Sequence, residues 1–230
     1  MRADGGTVAD KARIAGTLYL AASVLFIAGG SVRERLIVSD PRATIENVRA
    51  SEGLFRAGIA ADVVSAALFL FTAMALFALL AHVGQPMAAA MVVFAALGAA
   101  IGCIWIVNEL SLLSVASTPD DGILLGGESV PVRVSILVQE VRGAIMLNDL
   151  TSGLWLLPLG YLVIRSTMFP SALGWLLMIG GLSWLAMLFV QLLLPDLSRI
   201  ASLFAIGAVG EVVFIGWLLF RGVGTTSRDT

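Results

Sequence analysis

Residues 143–165 read GAIMLNDLTSGLWLLPLGYLVIR. A helix over this stretch is long enough to cross a bilayer, since about 20 residues span a hydrocarbon core of about 30 Å. Asp149 sits near its middle. A carboxylate at that depth costs roughly 2.5–3.5 kcal/mol on insertion scales, so it faces protein rather than lipid, and such residues often mark function. The stretch predicts a polytopic membrane protein with an acidic intramembrane pocket.

The composition of the 230-residue chain agrees. It is 59% hydrophobic and 13% charged, with mean hydropathy +0.97. Soluble domains carry about 25% charged residues. The net charge of −2 and the alternation of the first-loop arginines with acids argue against a nucleic-acid partner. The single cysteine, Cys103, excludes an internal disulfide and CxxC motifs. The single histidine, His82, excludes HExxH and multi-histidine metal sites, and we read it as interfacial beside Gly84-Gln85-Pro86. No metal is expected, and no cofactor is implied.

Working outward, apolar runs place six transmembrane helices at about 12–31, 54–82, 87–116, 132–165, 171–194 and 198–220, in one membrane domain covering residues 1–230. Residues 1–10 and 222–230 are polar tails. The first run is long enough to span and is read as a helix rather than a cleaved leader. Between helices 1 and 2, Ser39-Asp40-Pro41 is a helix start. Arg42, Glu46, Arg49, Glu52 and Arg56 then alternate in sign at helical spacing, with Ile45, Val48 and Phe55 as an apolar stripe. This predicts a short amphipathic surface helix. The fold class is thus all-α: a six-transmembrane-helix bundle with one surface helix. Both termini fall on one side. Six Lys and Arg residues lie there and seven opposite, so the positive-inside rule does not decide, and the short loops on the terminal side favour the cytoplasm.

The pattern KARIAGTLYL at residues 11–20, followed by RLIVSDPRATIENVRASEGLFRAGIAADV at 35–63, resembles a bacterial family of six-helix membrane proteins known as domain of unknown function 4386. GYLVIRSTMFPSALGWLLMIGGLSWL at 160–185 and LLLPD at 192–196 are similar to the same family. The resemblance implies the fold and a cell-membrane location, and it implies no activity. Family members often carry histidine where this chain reads Asn148-Asp149-Leu150-Thr151.

Five acids lie within the expected helices: Asp62, Glu109, Glu140, Asp149 and Glu211. Small residues share the stripe of four of them: Gly58 with Asp62, Gly102 and Gly98 with Glu109, Gly153 with Asp149, and Gly207 with Glu211. Small residues mark helix contacts in membranes, so these acids are expected to face inward. Together with Trp105, Asn108, Arg142 and Asn148 the five form the expected pocket lining, opening towards loops 1 and 3. Arg142 is the expected counter-ion. One arginine does not balance five acids, so some carboxyls are expected to carry a proton, or a cation to be bound.

Three functions compete. The first is a pocket for a membrane lipid or hydrophobic small molecule, with acid–base chemistry at Asp149 or Glu211 as an extension. The second is a structural or assembly protein whose buried acids only hold helices together. The third is a proton-coupled transporter, disfavoured by six helices without internal repeats unless the protein forms a homo-oligomer.

Overall fold

Asp40 and Pro41 start a helix where the sequence places one. The Asp40 carboxylate accepts from the Arg42 backbone N–H at 3.1 Å, and Pro41 fills the first position. The structure is a computed structural model and describes residues 4–119, 127, 129–194 and 208–220. Among these residues the elements are helical: α1 (Asp4–Leu36), α2 (Pro41–Ala50), α3 (Glu52–Leu80), α4 (Gln85–Ala116), α5 (Val130–Arg165), α6 (Ser171–Leu193) and α7 (Ala208–Phe220). No strand occurs among them. The acid-rich part of loop 3 at 120–126, the expected start of the last span at 198 and the tail from 222 lie outside the described residues.

Among the described residues four helices are long and apolar enough to cross a membrane: α1 from Val8, α3, α4 and α6. They suggest a membrane protein. α5 is the longest helix, at 36 residues, and buries Trp155, Leu156, Leu159, Leu162 and Val163. α7 is a shorter apolar helix of 13 residues.

The chain divides into two units. Unit 1 comprises residues 1–21, 68–99 and 147–230, and unit 2 comprises 22–67 and 100–146. In unit 1, Tyr19, Phe69 and Trp155 meet edge-on with ring centroids 4.7 to 6.2 Å apart, a favourable aromatic geometry. Around them pack Leu76, Leu80, Met91, Leu159 and Phe214. α5 and α6 approach through glycine: a Cβ on Gly160 would lie 2.7 Å from the Gly174 carbonyl oxygen, and one on Gly174 would lie 2.6 Å from that of Gly160. One heptad away, Gly153 and Gly181 repeat the contact at 2.8 Å each way. Bare backbone on both sides is what lets membrane helices pack this closely.

In unit 2, Ile45, Val48 and Phe55 are each 1% exposed and join a core with Leu36, Leu112, Val134 and Leu137. The stripe read as a membrane-surface face is therefore turned into protein. Thr44 fixes the entry to α2: its hydroxyl accepts from the Val38 N–H at 3.1 Å and donates to the Val38 carbonyl at 3.2 Å. The Arg49 side chain donates to the carbonyls of Ala116 and Thr118 at the end of α4, where carbonyls lack helical partners.

Candidate functional site

α1 does not end where its apolar run does. No proline interrupts residues 31–36, and the helix continues through Arg33 to Leu36. Arg33 lies four residues after Gly29 and seven after Phe26, on one face of the helix. That face meets α3 and α4 within unit 2.

The Arg33 guanidinium donates from Nε to Glu109 Oε1 at 2.6 Å and from Nη2 to Asp62 Oδ2. The Trp105 indole N–H donates to the same Asp62 oxygen at 3.4 Å. The guanidinium carbon stands 5.6 Å from the Trp105 ring centre, within cation–π range. All four residues are buried, with exposures of 2 to 8%. Two carboxylates thus share one arginine. Asp62 Oδ1 is buried and has no hydrogen-bond partner among the described residues. It rests against Gly29, where a Cβ would lie 2.2 Å away. α1 and α3 are also joined by the Ser65 hydroxyl, which donates to the Ala22 carbonyl at 2.8 Å.

A cleft of about 250 Å³ in unit 2 is lined by Arg33, Glu34, Ile37, Val141, Arg142 and Ile145. Arg142 is exposed and donates to the Ser39 hydroxyl at 3.5 Å. Nε and Nη2 of Arg33 are engaged by the acids. Its Nη1 has no protein partner among the described residues. The cleft is thus lined by two arginines and one glutamate beside three branched aliphatic side chains.

The other acids have separate partners. In unit 1, Glu211 accepts from the buried Tyr19 hydroxyl and, at 3.2 Å, from the Trp184 indole N–H. Asp149 is 7% exposed and accepts from the Gln191 amide at 3.4 Å. Asn148 beside it is half-buried and bonds within its own helix, to Thr151 and Ser152. Asn108 is half-buried, and Glu140 is exposed. Gly207 lies outside the described residues. His82 is exposed in a wide depression of about 480 Å³ with Val83, Ile164, Arg165, Ser166 and Thr167. Among the described residues no group of three or more His, Cys, Asp or Glu side chains is placed to hold a metal ion.

Sequence reasoning names Asp62, Glu109 and Trp105 but not the arginine that joins them. Arg33 reads as a loop residue because hydropathy falls after Gly30. The signal that finds it is the unbroken helical register from Phe26 through Gly29. The pairings of Tyr19 with Glu211 and of Gln191 with Asp149 carry no such signal, because each partner lies far along the chain from the acid it meets.

A family model described as Domain of unknown function (DUF4386) matches residues 14–222. The chain belongs to that family. No curated protein and no solved structure matches it.

Proposed function

We propose that this DUF4386 protein is a six-span membrane protein that binds an anionic amphiphile, its headgroup held between Arg33 and Arg142. The cleft lined by those two residues carries the reading. Guanidinium groups suit phosphate and carboxylate, which accept pairs of N–H bonds in the plane of the fork. Ile37, Val141 and Ile145 offer the adjoining surface to the first carbons of an acyl chain. At about 250 Å³ the cleft takes a headgroup and little more, since whole small-molecule sites run from about 300 to 1,000 Å³. The rest of the chain then lies in the bilayer.

The six-span reading takes α5 and α7 as the spans beyond the four long apolar helices, with both termini in the cytoplasm. Exposed apolar side chains support a lipid environment: Val24 and Ile27 on α1, Val63 and Phe71 on α3, Val93 and Val107 on α4, Leu182 and Phe189 on α6. In water such faces would be an aggregation liability.

Unit 1 favours a different role for its acids. Glu211 has two protein donors and Asp149 has one, which fits carboxyls that tie helices together.

The test is a titration of purified protein in neutral detergent with lyso-phosphatidylglycerol and lyso-phosphatidylcholine, followed by native mass spectrometry. The anionic lipid should bind at least several-fold more tightly, and Arg142→Ala should remove most of that preference. Equal binding of the two lipids, or an Arg142→Ala protein that keeps the preference, overturns the reading.

A further inference from the structure

We infer that an anion entering the Arg33 cleft is taken up together with one proton, which settles on the Asp62–Glu109 pair. The inference rests on the reading of that cleft as an anion site and concerns its regulation. Arg33 belongs to two assemblies at once: it lines the cleft and is the shared donor to two buried carboxylates. With both carboxyls ionised, the three side chains carry one positive and two negative charges. Their side chains are at most 9% exposed, so water screens them little.

An anion on the Nη1 edge of Arg33 adds a third negative charge around the same guanidinium. Like charges gathered in a low-dielectric site do not all stay ionised, and a proton from bulk water is the simplest compensation. The step forms one O–H bond on Asp62 or Glu109 and breaks one bond to hydrogen in the hydronium or buffer acid that gives up the proton. Arg33 then turns part of its hydrogen bonding from acids to ligand.

The groups around the pair are few. α1 gives Arg33 and, at the cleft, Glu34; α3 gives Asp62; α4 gives Glu109; α5 gives Arg142. The charged residues Arg42, Glu46 and Arg49 of α2 and Glu140 of α5 are exposed. Glu34 is exposed too, and it is the competing proton acceptor.

Isothermal titration of the full chain in neutral detergent with lyso-phosphatidylglycerol decides the matter. Its phosphodiester keeps one charge through the neutral range, so it does not contribute protons itself. Titrations in two buffers with different ionisation heats count the protons, and Trp105 emission follows binding independently through its contact with Arg33. About one proton should be taken up per lipid bound, with affinity rising by up to roughly tenfold for each pH unit lowered. Glu34→Gln should leave the count unchanged. The Asp62→Asn, Glu109→Gln double variant should abolish it while binding persists, and if that variant fails to fold the other measurements decide alone. Binding with no proton uptake, or uptake lost in Glu34→Gln, overturns this inference and leaves the anion site standing. No binding of the lipid overturns both.

Discussion

Gly29 and Asp62 occupy one space between α1 and α3: a Cβ on Gly29 would lie 2.2 Å from Asp62 Oδ1 and 2.7 Å from its carboxyl carbon. The glycine lets the carboxylate lie against helix backbone and places Oδ2 on Arg33 and Trp105. Helix backbone carries Cα–H groups, which are weak donors to such an oxygen. Burial of Asp62 and the absence of a side chain at Gly29 are one structural fact.

Gly29→Ala should therefore destabilise the protein by about 1–3 kcal/mol, the usual range for forcing extra atoms into a packed site. The added methyl meets a carboxylate anchored by two partners, so it cannot be absorbed by a flexible side chain. Gly30→Ala is the comparison: a Cβ there would meet only Arg33 Nη1, at 3.8 Å. Thermal unfolding in detergent should show a clear loss for the first and little change for the second. Equal behaviour of the two would mean that Asp62 does not lie against Gly29.

Arg33 makes a stronger demand. Removing it by Arg33→Met leaves two buried carboxylates facing each other, which should cost about 3–5 kcal/mol. Replacing all three charges, with Arg33→Met, Asp62→Leu and Glu109→Leu, should recover much of that loss, because a buried ion set often breaks even against apolar residues of like volume. The exposed pair of Arg56 with Glu52, 2.8 Å apart, sets the scale at the other end. Exposed pairs at this spacing contribute about 0.3–0.5 kcal/mol, so Arg56→Met should be close to neutral. The shape of this series in unfolding midpoints is the test. A single Arg33→Met no worse than Arg56→Met would show that the triad is not formed.

What the sequence discloses follows from the range of each signal. The helical class and the start of α2 are local: apolar runs, an Asp-Pro pair and alternating charges state them within ten residues. The inward facing of Asp62, Glu109 and Asp149 is also readable, because glycine or a small residue recurs one turn away. Glu140 also has small neighbours one turn away, Gly143 and Ala144, yet it is exposed, so that signal alone does not decide facing. Arg33 is missed because hydropathy averages over a window, while the helix end depends on local backbone bonds that a charged residue does not break. Ile37 donates to the Arg33 carbonyl at 2.8 Å and continues the helical pattern to that point. Arg142 reads as the intramembrane cation, and the structure places it exposed at a cleft beside Ser39. Long-range pairings such as Tyr19 with Glu211, 192 residues apart, leave no trace in one sequence.

Asp149 returns the question to the stretch at 143–165. Its carboxyl is 7% exposed and accepts from Gln191 at 3.4 Å, the long end of hydrogen-bond range. An asparagine there keeps an acceptor for Gln191 and never carries charge. If Asp149 only ties α5 to α6, Asp149→Asn should match or exceed the wild-type unfolding temperature, and Gln191→Leu should cost about 0.6 kcal/mol and at most about 1.7 kcal/mol, the average and the maximum for side-chain bonds between membrane helices. Asp149→Leu and Gln191→Leu should be non-additive, because each removes the same contact. Chemical denaturation of the two single variants and the double variant measures the coupling. A coupling of zero would show that Gln191 does not hold Asp149, and the carboxylate would then need a partner other than the one that the α5–α6 pair supplies.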